Sequence, residues 1–406
     1  MIENNIGISV IIPIYNVEEY LKDCLDSILE QSFEHYEIIC IDDASTDNSL
    51  NILRQYERKY EKIHIIQHNK NKGLSVTRNS GLKMARGKYI FFLDSDDMIF
   101  GNTALEELYD LAEEVQTDII YFDIVRKYGE KPLILENQKT NFSMKIYTGK
   151  ELFCVCCEEK RLLVEACRQF YRREFLIDNN IEFYEGILHE DMLFSFLCAM
   201  KAKKVIEIEK IYYIYRQREN SIMGIHDRRR AQSVYLILSE IYLYWLTHNF
   251  TENENRAIAY YFNSLYRAYK KYQNFEYEYC ALDYGNYAEK FVYQLLKNDS
   301  RPFFLLPQMK QIVNADNVIL YGAGYVAENV IYYLRSLEIN IKYLAVTDKK
   351  QNPRNLFGIE VKEISKLQEY NKNAVIVVAV TEQFVEEIVC YLKELGFSNI
   401  VTLNYS

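Results

Sequence analysis

Through the first third of the chain, short apolar blocks alternate with amphipathic segments. Ser9-Val-Ile-Ile-Pro-Ile-Tyr15 and Tyr89-Ile-Phe-Phe-Leu93 are apolar on both alternating sets of positions, the pattern of a strand covered on both faces. Strands are predicted near 8–14, 36–42, 62–67, 88–94 and 118–125, and helices near 17–31, 47–60, 75–86 and 103–115. This alternation predicts a parallel sheet with helices packed on it. Ligands of such sheets lie beyond the carboxyl ends of the strands. The polar residues closing those strands are therefore the first candidates: Asn16, Asp42-Asp43 and Asp94-Ser95-Asp96-Asp97.

The regular alternation ends near residue 126. A Cys-rich helix near 149–160, a helix at 190–201 and strands at 204–208 and 210–216 are predicted there. From about 228 to 299 the pattern is helical, with Tyr242, Tyr244, Tyr260, Tyr261, Tyr266, Tyr269 and Tyr272 recurring every three or four residues. Tyrosine on a helix face usually has a packed ring and a wet hydroxyl. A second α/β pattern starts at Asn317. It comprises strand 317–321, a Gly322-Ala-Gly324 turn, helix 325–338, strands 341–347 and 374–380, helix 382–395 and strand 399–403. Three parts are expected: an α/β domain over 1–225, a helical connector over 226–312 and a Rossmann-like α/β domain over 313–406.

Composition narrows the function classes. The 406 residues are 49% hydrophobic and 26% charged, which excludes a disordered chain, and the net charge of -10 lacks the basic excess that nucleic-acid binding needs. No nucleic-acid partner is expected. Nine cysteines, an odd number without zinc-ligand spacing, read as reduced thiols. The N-terminal segment has no basic region before its apolar strand, and no apolar run reaches about 18 residues. The expected compartment is the cytoplasm.

The chemistry concentrates at the strand ends. Carboxylates crowded at 94–97 repel one another unless a cation lies among them, and Mg²⁺ or Mn²⁺ favours such oxygens together with phosphates. A solvated Asp-rich turn is the alternative. Asp42 or Asp43 can accept from a ribose hydroxyl or a base N–H at the same edge. Asp47 is placed to cap the next helix. Lys70, Lys72, Gly73, Arg78 and Asn79 lie on the following connection, where Arg78 can pair with phosphate or brace the acidic cluster.

These residues together resemble a known family. Ser9 to Asn16, Glu18 to Leu21, Ile41 to Asp47, Asn69 to Gly73, Arg78-Asn79, Gly81, Gly87 and Leu93 to Asp97 look like the family-2 inverting glycosyltransferases of GT-A fold. The likeness is close over residues 6–125 and looser to about 224. It implies a nucleotide-base pocket of Pro13, Tyr15, Asn16 and Asp42, with Arg78 orienting the nucleotide. It also implies an Asp-x-Asp motif at Asp94-Ser95-Asp96, in which Asp96 ligates a divalent metal and Asp94 holds the ribose or a metal-bound water. Ala44 stands where the family commonly has glycine.

His189-Glu190-Asp191 precedes an apolar helix where the family carries its acidic pair. Asp191 matches the general base, which takes the acceptor proton as the hydroxyl attacks the anomeric carbon, and Glu190 a contact to the sugar. The bland reading of Asp191 is a helix cap. The segment Tyr213 to Ile222 resembles the family's donor-closing segment, in which Arg216 and Arg218 would grip phosphate. His226 is a further candidate metal ligand. Arg216, Arg218 and Arg228 to Arg230 form a basic cluster, read either as a solvated helix start or as a contact for lipid headgroups or a polyprenyl diphosphate.

In the C-terminal part, Gly322-x-Gly324-x-x-Ala327 lies between a strand and a helix, with Asp348 after the next strand. That is the context of a dinucleotide fingerprint, here without a hydride-transfer constellation. The overall expectation is a Mn²⁺- or Mg²⁺-dependent inverting transferase. It would move sugar from a nucleotide diphosphate, UDP above others, to a glycan or polyprenyl-diphosphate-linked acceptor in surface polysaccharide assembly, in the cytoplasm or peripherally at the inner membrane face. The rivals are an oxidoreductase or epimerase centred on the C-terminal domain and a non-catalytic nucleotide-sugar-binding protein.

Overall fold

The structure, a computed structural model, describes residues 6–129, 144–161, 164–217, 228–270, 292, 306–348 and 354–403. Two compact units are present: one of Met1–Ile237 with Thr251–Glu276, the other of Leu238–Phe250 with Tyr277–Ser406. The first unit thus takes in residues from the stretch read above as a connector.

The first unit begins with β1 (Ile8–Ile14), α1 (Leu21–Leu29), β2 (Tyr36–Asp42), α2 (Ser49–Lys59), β3 (Ile63–Gln67) and α3 (Leu74–Met84). It continues through β4 (Tyr89–Phe92), β5 (Met98–Ile99), α4 (Ala104–Val115), β6 (Ile119–Tyr128), β7 (Met144–Tyr147) and α5 (Gly149–Glu158). It is completed by β8 (Gln169–Arg172), α6 (Arg173–Asp178), α7 (Glu190–Lys201), β9 (Val205–Gln217), α8 (Arg228–Thr247), whose second half falls in the other unit, and α9 (Glu252–Lys270).

The strands form one mixed sheet in the order β3-β2-β1-β4-β8-β6-β9-β5, with β7 also paired to β9. The β3-β2-β1-β4 half is parallel as expected, but β8 runs antiparallel to both β4 and β6. The two strands predicted at 204–208 and 210–216 are one, β9, whose register to β6 shifts near Tyr121 and Asp123. Both faces are covered. Val10, Ile12, Phe91 and Leu93 pack into one core layer, and Ile11, Ile90 and Phe92 into the other. Each such side chain contributes about 1.5–3 kcal/mol of burial. Glycine at 81 lets α3 approach the sheet: a Cβ there would lie 2.4 Å from Cγ2 of Ile11.

Chain order reverses between β1 and β4, the switch point where open α/β sheets hold ligands. The β1–β4 ladder ends at Ile11↔Phe92, with the Leu93 N–H donating to the Ile11 carbonyl. The next rung on that side would need an N–H from residue 13, which is proline. The sequence therefore opens the crevice at the point where Asp42 and Asp94 leave their strands.

The second unit contains α10 (Leu306–Val313), β10 (Asn317–Tyr321), α11 (Tyr325–Ser336), β11 (Ile341–Val346), β12 (Asn355–Leu356), β13 (Ile359–Glu363), β14 (Ala374–Val378), α12 (Val385–Glu394) and β15 (Ile400–Thr402). Its sheet order is β12-β13-β11-β10-β14-β15, parallel except for the β12–β13 pair. The β12–β13 hairpin was not visible as a periodic pattern. Gly322 follows β10 with φ 129°, and a Cβ there would lie 2.4 Å from the Ala379 carbonyl oxygen, so glycine is required at this turn.

Candidate functional site

Several sequence segments, separated along the chain, meet at the carboxyl edge of the first sheet. Asp42 closes β2 and is fully buried; its Oδ1 accepts from the Ser45 N–H at 3.3 Å, while its Oδ2 has no partner. A buried carboxylate oxygen left unpaired is unfavourable unless a ligand donor meets it. Nearby, Asn16 has φ 52°, and its Oδ1 accepts from the Thr46 N–H at 2.8 Å. That bond fastens the loop after β1 to the loop after β2. Pro13 is buried and Tyr15 is 48% exposed. The region is thus a rim with an unpaired buried acceptor, Asp42 Oδ2, and a half-exposed aromatic ring, Tyr15.

Asp43 is fully engaged in structure. Its carboxylate accepts from the Lys72 and Gly73 N–H groups at 2.9 and 2.8 Å, and it lies 2.7 Å from Nδ1 of His68. This fixes the turn into α3, where Gly73 adopts φ 89°. Asp47 is structural as read, accepting from the Glu18 and Ser49 N–H groups. The His68 partnership was not foreseen. Its only sequence signal is that both residues follow the ends of adjacent strands.

Arg78, on α3, lies at the centre of the acidic residues and is 1% exposed. Nη1 donates to Glu190 Oε1 at 2.7 Å and to Asp191 Oδ1 at 2.6 Å; Nη2 donates to Asp94 Oδ1 at 2.7 Å. The guanidinium also faces the Phe183 ring at 5.1 Å. The geometry matches the bracing alternative for Arg78. Burial opposes its charge, but Asp191, Asp94 and Glu190 outweigh that and hold its pKa well above the usual value.

His189, at φ 62°, holds the N-cap position of α7 without a side-chain capping bond and turns the chain so that Glu190 and Asp191 open the helix. Asp191 Oδ2 accepts from the Ala166 N–H at 3.3 Å. Burial raises the pKa of Asp191, with Arg78 opposing; burial and the Asp191 charge raise that of Glu190. Both are therefore stronger proton acceptors than an ordinary carboxylate. Asp191 is the more exposed of the two side chains, at 23% against 7%, so it is the one a substrate can reach.

The Asp94–Asp97 run forms a turn in which the Asp97 N–H donates to the Asp94 carbonyl. Ser95 is buried. Asp97 accepts from the Tyr213 hydroxyl and the Arg216 N–H, both at 2.7 Å, which anchors the turn to β9. Burial, then the charges of Asp96 and Asp94, push its carboxyl well above the ordinary range. Asp94 and Asp96, whose charges face Asp97, supply hard oxygens of the kind that fit Mg²⁺ or Mn²⁺. No three His, Cys, Asp or Glu side chains among the described residues surround a single metal position. A divalent cation held at these oxygens would need further ligands, such as the oxygens of a bound phosphate.

The Arg216 guanidinium donates to Asp23 at 2.9 Å and faces the Tyr20 ring at 5.0 Å. Arg218 and His226 lie outside the described residues. No helix among the described residues is long and apolar enough to cross a membrane.

Comparison with known proteins agrees with the fold. The family model described as glycosyl transferase family 2 matches residues 9–177. Glycosyltransferase GlyG of Streptococcus pneumoniae serotype 4 is 30% identical over 234 residues, which cover 53% of this chain and 72% of that protein. The poly(ribitol-phosphate) beta-glucosyltransferase of Bacillus spizizenii is 34% identical over 223 residues, or 54% of this chain. The chain spans only 33% of that enzyme's length. Residues 1–349 of S. aureus TarS, solved in complex with UDP-GlcNAc, share the fold with a TM-score of 0.56 and 22% identity, over 82% of this chain and 88% of that one. The fold and site define a GT-A-type α/β protein with an appended Rossmann-like domain. The chain belongs to glycosyl transferase family 2.

Proposed function

We propose that the chain is a divalent-cation-dependent inverting glycosyltransferase. It moves a sugar from a nucleotide diphosphate donor, UDP above others, to a hydroxyl of a glycan or lipid-linked acceptor in cell-surface polysaccharide biosynthesis. The observation that carries this reading is that Asp94, in the Asp-Ser-Asp run, and Asp191, in the acidic pair, share one buried guanidinium. A donor-side carboxylate and a candidate base therefore border the same space. The teichoic-acid setting of relatives such as GgaB of Bacillus subtilis, a minor teichoic acid biosynthesis protein 33% identical over 219 residues, supports the polysaccharide context.

In this reading the unpaired Oδ2 of Asp42 accepts a base N–H and Tyr15 supplies an aromatic face to the base. Asp94 takes the ribose or a metal-bound water, and Arg216 and Arg218 contact phosphate, while Glu190 braces Arg78 from behind Asp191. Asp96 and His226, with diphosphate oxygens, would hold Mn²⁺ or Mg²⁺, which when bound neutralises the departing diphosphate. Asp191 takes the proton from the acceptor hydroxyl as it attacks from the face opposite the leaving group. The proposed setting is the cytoplasm, with peripheral contact at the inner membrane face; of the basic residues near 216–230 proposed for that contact, Arg229 is exposed, whereas Arg230 is buried and Arg216 pairs with Asp23. The test is transfer or donor hydrolysis with a panel of nucleotide sugars and Mn²⁺. Asp191→Asn is expected to lower turnover at least 100-fold with donor binding retained; wild-type turnover in that variant would overturn the assignment.

A further inference from the structure

The Arg78 cluster is unusual in its charge balance. One guanidinium, fully enclosed, meets three carboxylates from two different segments: Asp94 after β4, and Glu190 and Asp191 at the start of α7. Its side chain is 1% exposed, whereas those of Asp94 and Asp191 are 27% and 23% exposed. The cation lies beneath the two acids rather than between them and solvent. A ligand in the crevice meets Asp94 and Asp191 first, and Arg78 only behind them. Its reach is further fixed by Phe183, which faces the guanidinium at 5.1 Å and stacks on Phe194 of α7 at 3.9 Å. Asn79 next to it locks the same segment, exchanging hydrogen bonds with the Phe183 backbone at 2.9 Å in both directions.

Resting on the function proposed above, we infer that Arg78 is a positioning residue. Its planar fork ties Asp94 on the donor side to Asp191 on the acceptor side, so the spacing between the donor site and the proton acceptor is set by one rigid group. It does not touch the nucleotide. The chemistry is specific to arginine: two nitrogens on one plane can serve Asp94 and Asp191 at once, whereas a lysine presents a single ammonium to be shared. Misplacement of a reacting group by about 1 Å can reduce rates about 100-fold, so loss of the fork should act on turnover and leave donor affinity nearly intact.

The experiment uses the purified full chain with Mn²⁺ and the nucleotide sugar that the wild-type protein turns over fastest, measuring kcat and donor KM for wild type, Arg78→Lys and Glu190→Gln. Arg78→Lys keeps the buried positive charge, and Glu190→Gln leaves Arg78 bound to Asp94 and Asp191, so at least one variant should fold; thermal melting verifies this. Arg78→Lys is expected to lower kcat about 100-fold with donor KM changed less than about 3-fold, and Glu190→Gln, which loosens one of the three anchors, to lower kcat about 3- to 30-fold with the same KM. A rise in KM at unchanged kcat in Arg78→Lys would mean direct nucleotide contact and overturn the inference. So would wild-type kcat in Glu190→Gln if Arg78→Lys does not fold. A wild-type protein that turns over and binds no nucleotide sugar would instead overturn the function itself.

Discussion

Nδ1 of His68 lies 2.7 Å from Oδ1 of Asp43, and both side chains are buried. The pair anchors a loop: the same carboxylate accepts the Lys72 and Gly73 N–H groups that lead into α3. Arg78 is carried on that helix, so the loop sets where the guanidinium sits. His68→Ala removes one partner of a buried charged acceptor, an effect of about 1–3 kcal/mol. The expected result is a melting temperature lower by several degrees, at about 2–4 °C per kcal/mol, read by calorimetry. An unchanged melting temperature would show that the pair contributes nothing to the loop.

Asp42 leads to the opposite expectation. Its Oδ2 is buried without a partner, so replacing it by an amide removes no bond in the free protein. Asp42→Asn should leave the melting temperature within about 1 °C while weakening UDP binding about 10- to 100-fold, the loss of a charge-assisted hydrogen bond of about 1.5–3 kcal/mol. Calorimetric titration with UDP and Mn²⁺ measures it; equal affinity would remove Asp42 from the base pocket.

Much of this was legible in the chain. The strands at 8–14 and 36–42 and the helix at 190–201 fall where periodicity put them, because a doubly covered strand and an amphipathic helix leave unmistakable apolar patterns. The antiparallel β8 was not legible. Gln169-Phe-Tyr-Arg172 is four residues long and begins and ends on polar groups, and its direction is decided by pairing with β4 and β6. For the candidate site, Asp94, Asp96 and Asp191 are named by the resemblance and not by any local periodicity. The bridge from Arg78 to Asp191 spans 113 positions, and no local pattern encodes it. Likewise the Tyr213 hydroxyl reaches Asp97 only because β9 returns beside β5.

The raised carboxyls give the protein a pH signature. Burial and neighbouring acids raise Asp97 and Glu190 above their ordinary values near about 4. Between those values and the raised ones, the folded chain holds protons that the unfolded chain has released. Stability from these groups is therefore present at low pH and falls as pH rises through the window. Metal-free protein is expected to show a smaller fall in melting temperature between pH 5.5 and 8 in Asp97→Asn than in wild type. Asparagine retains an acceptor for the Arg216 N–H and a donor toward Tyr213, so the turn keeps its anchor. Identical slopes in the two proteins would contradict the burial origin of the shift.

Asp96 is the acid of this run to which the proposed mechanism assigns the metal. The charges of Asp96 and Asp94 bear on the buried Asp97 carboxyl and push it above the ordinary carboxylate range. Removing one of the charges should therefore help the free protein slightly and harm the loaded one. Asp96→Ala is expected to raise the melting temperature of the metal-free protein by about 1–2 °C, an effect of a few tenths of a kcal/mol or more. It should also abolish the further rise that wild type shows with Mn²⁺ and UDP together, since only a ligand that binds the folded state stabilises it. A variant that keeps the wild-type response to Mn²⁺ would place the metal, if one is used, away from Asp96.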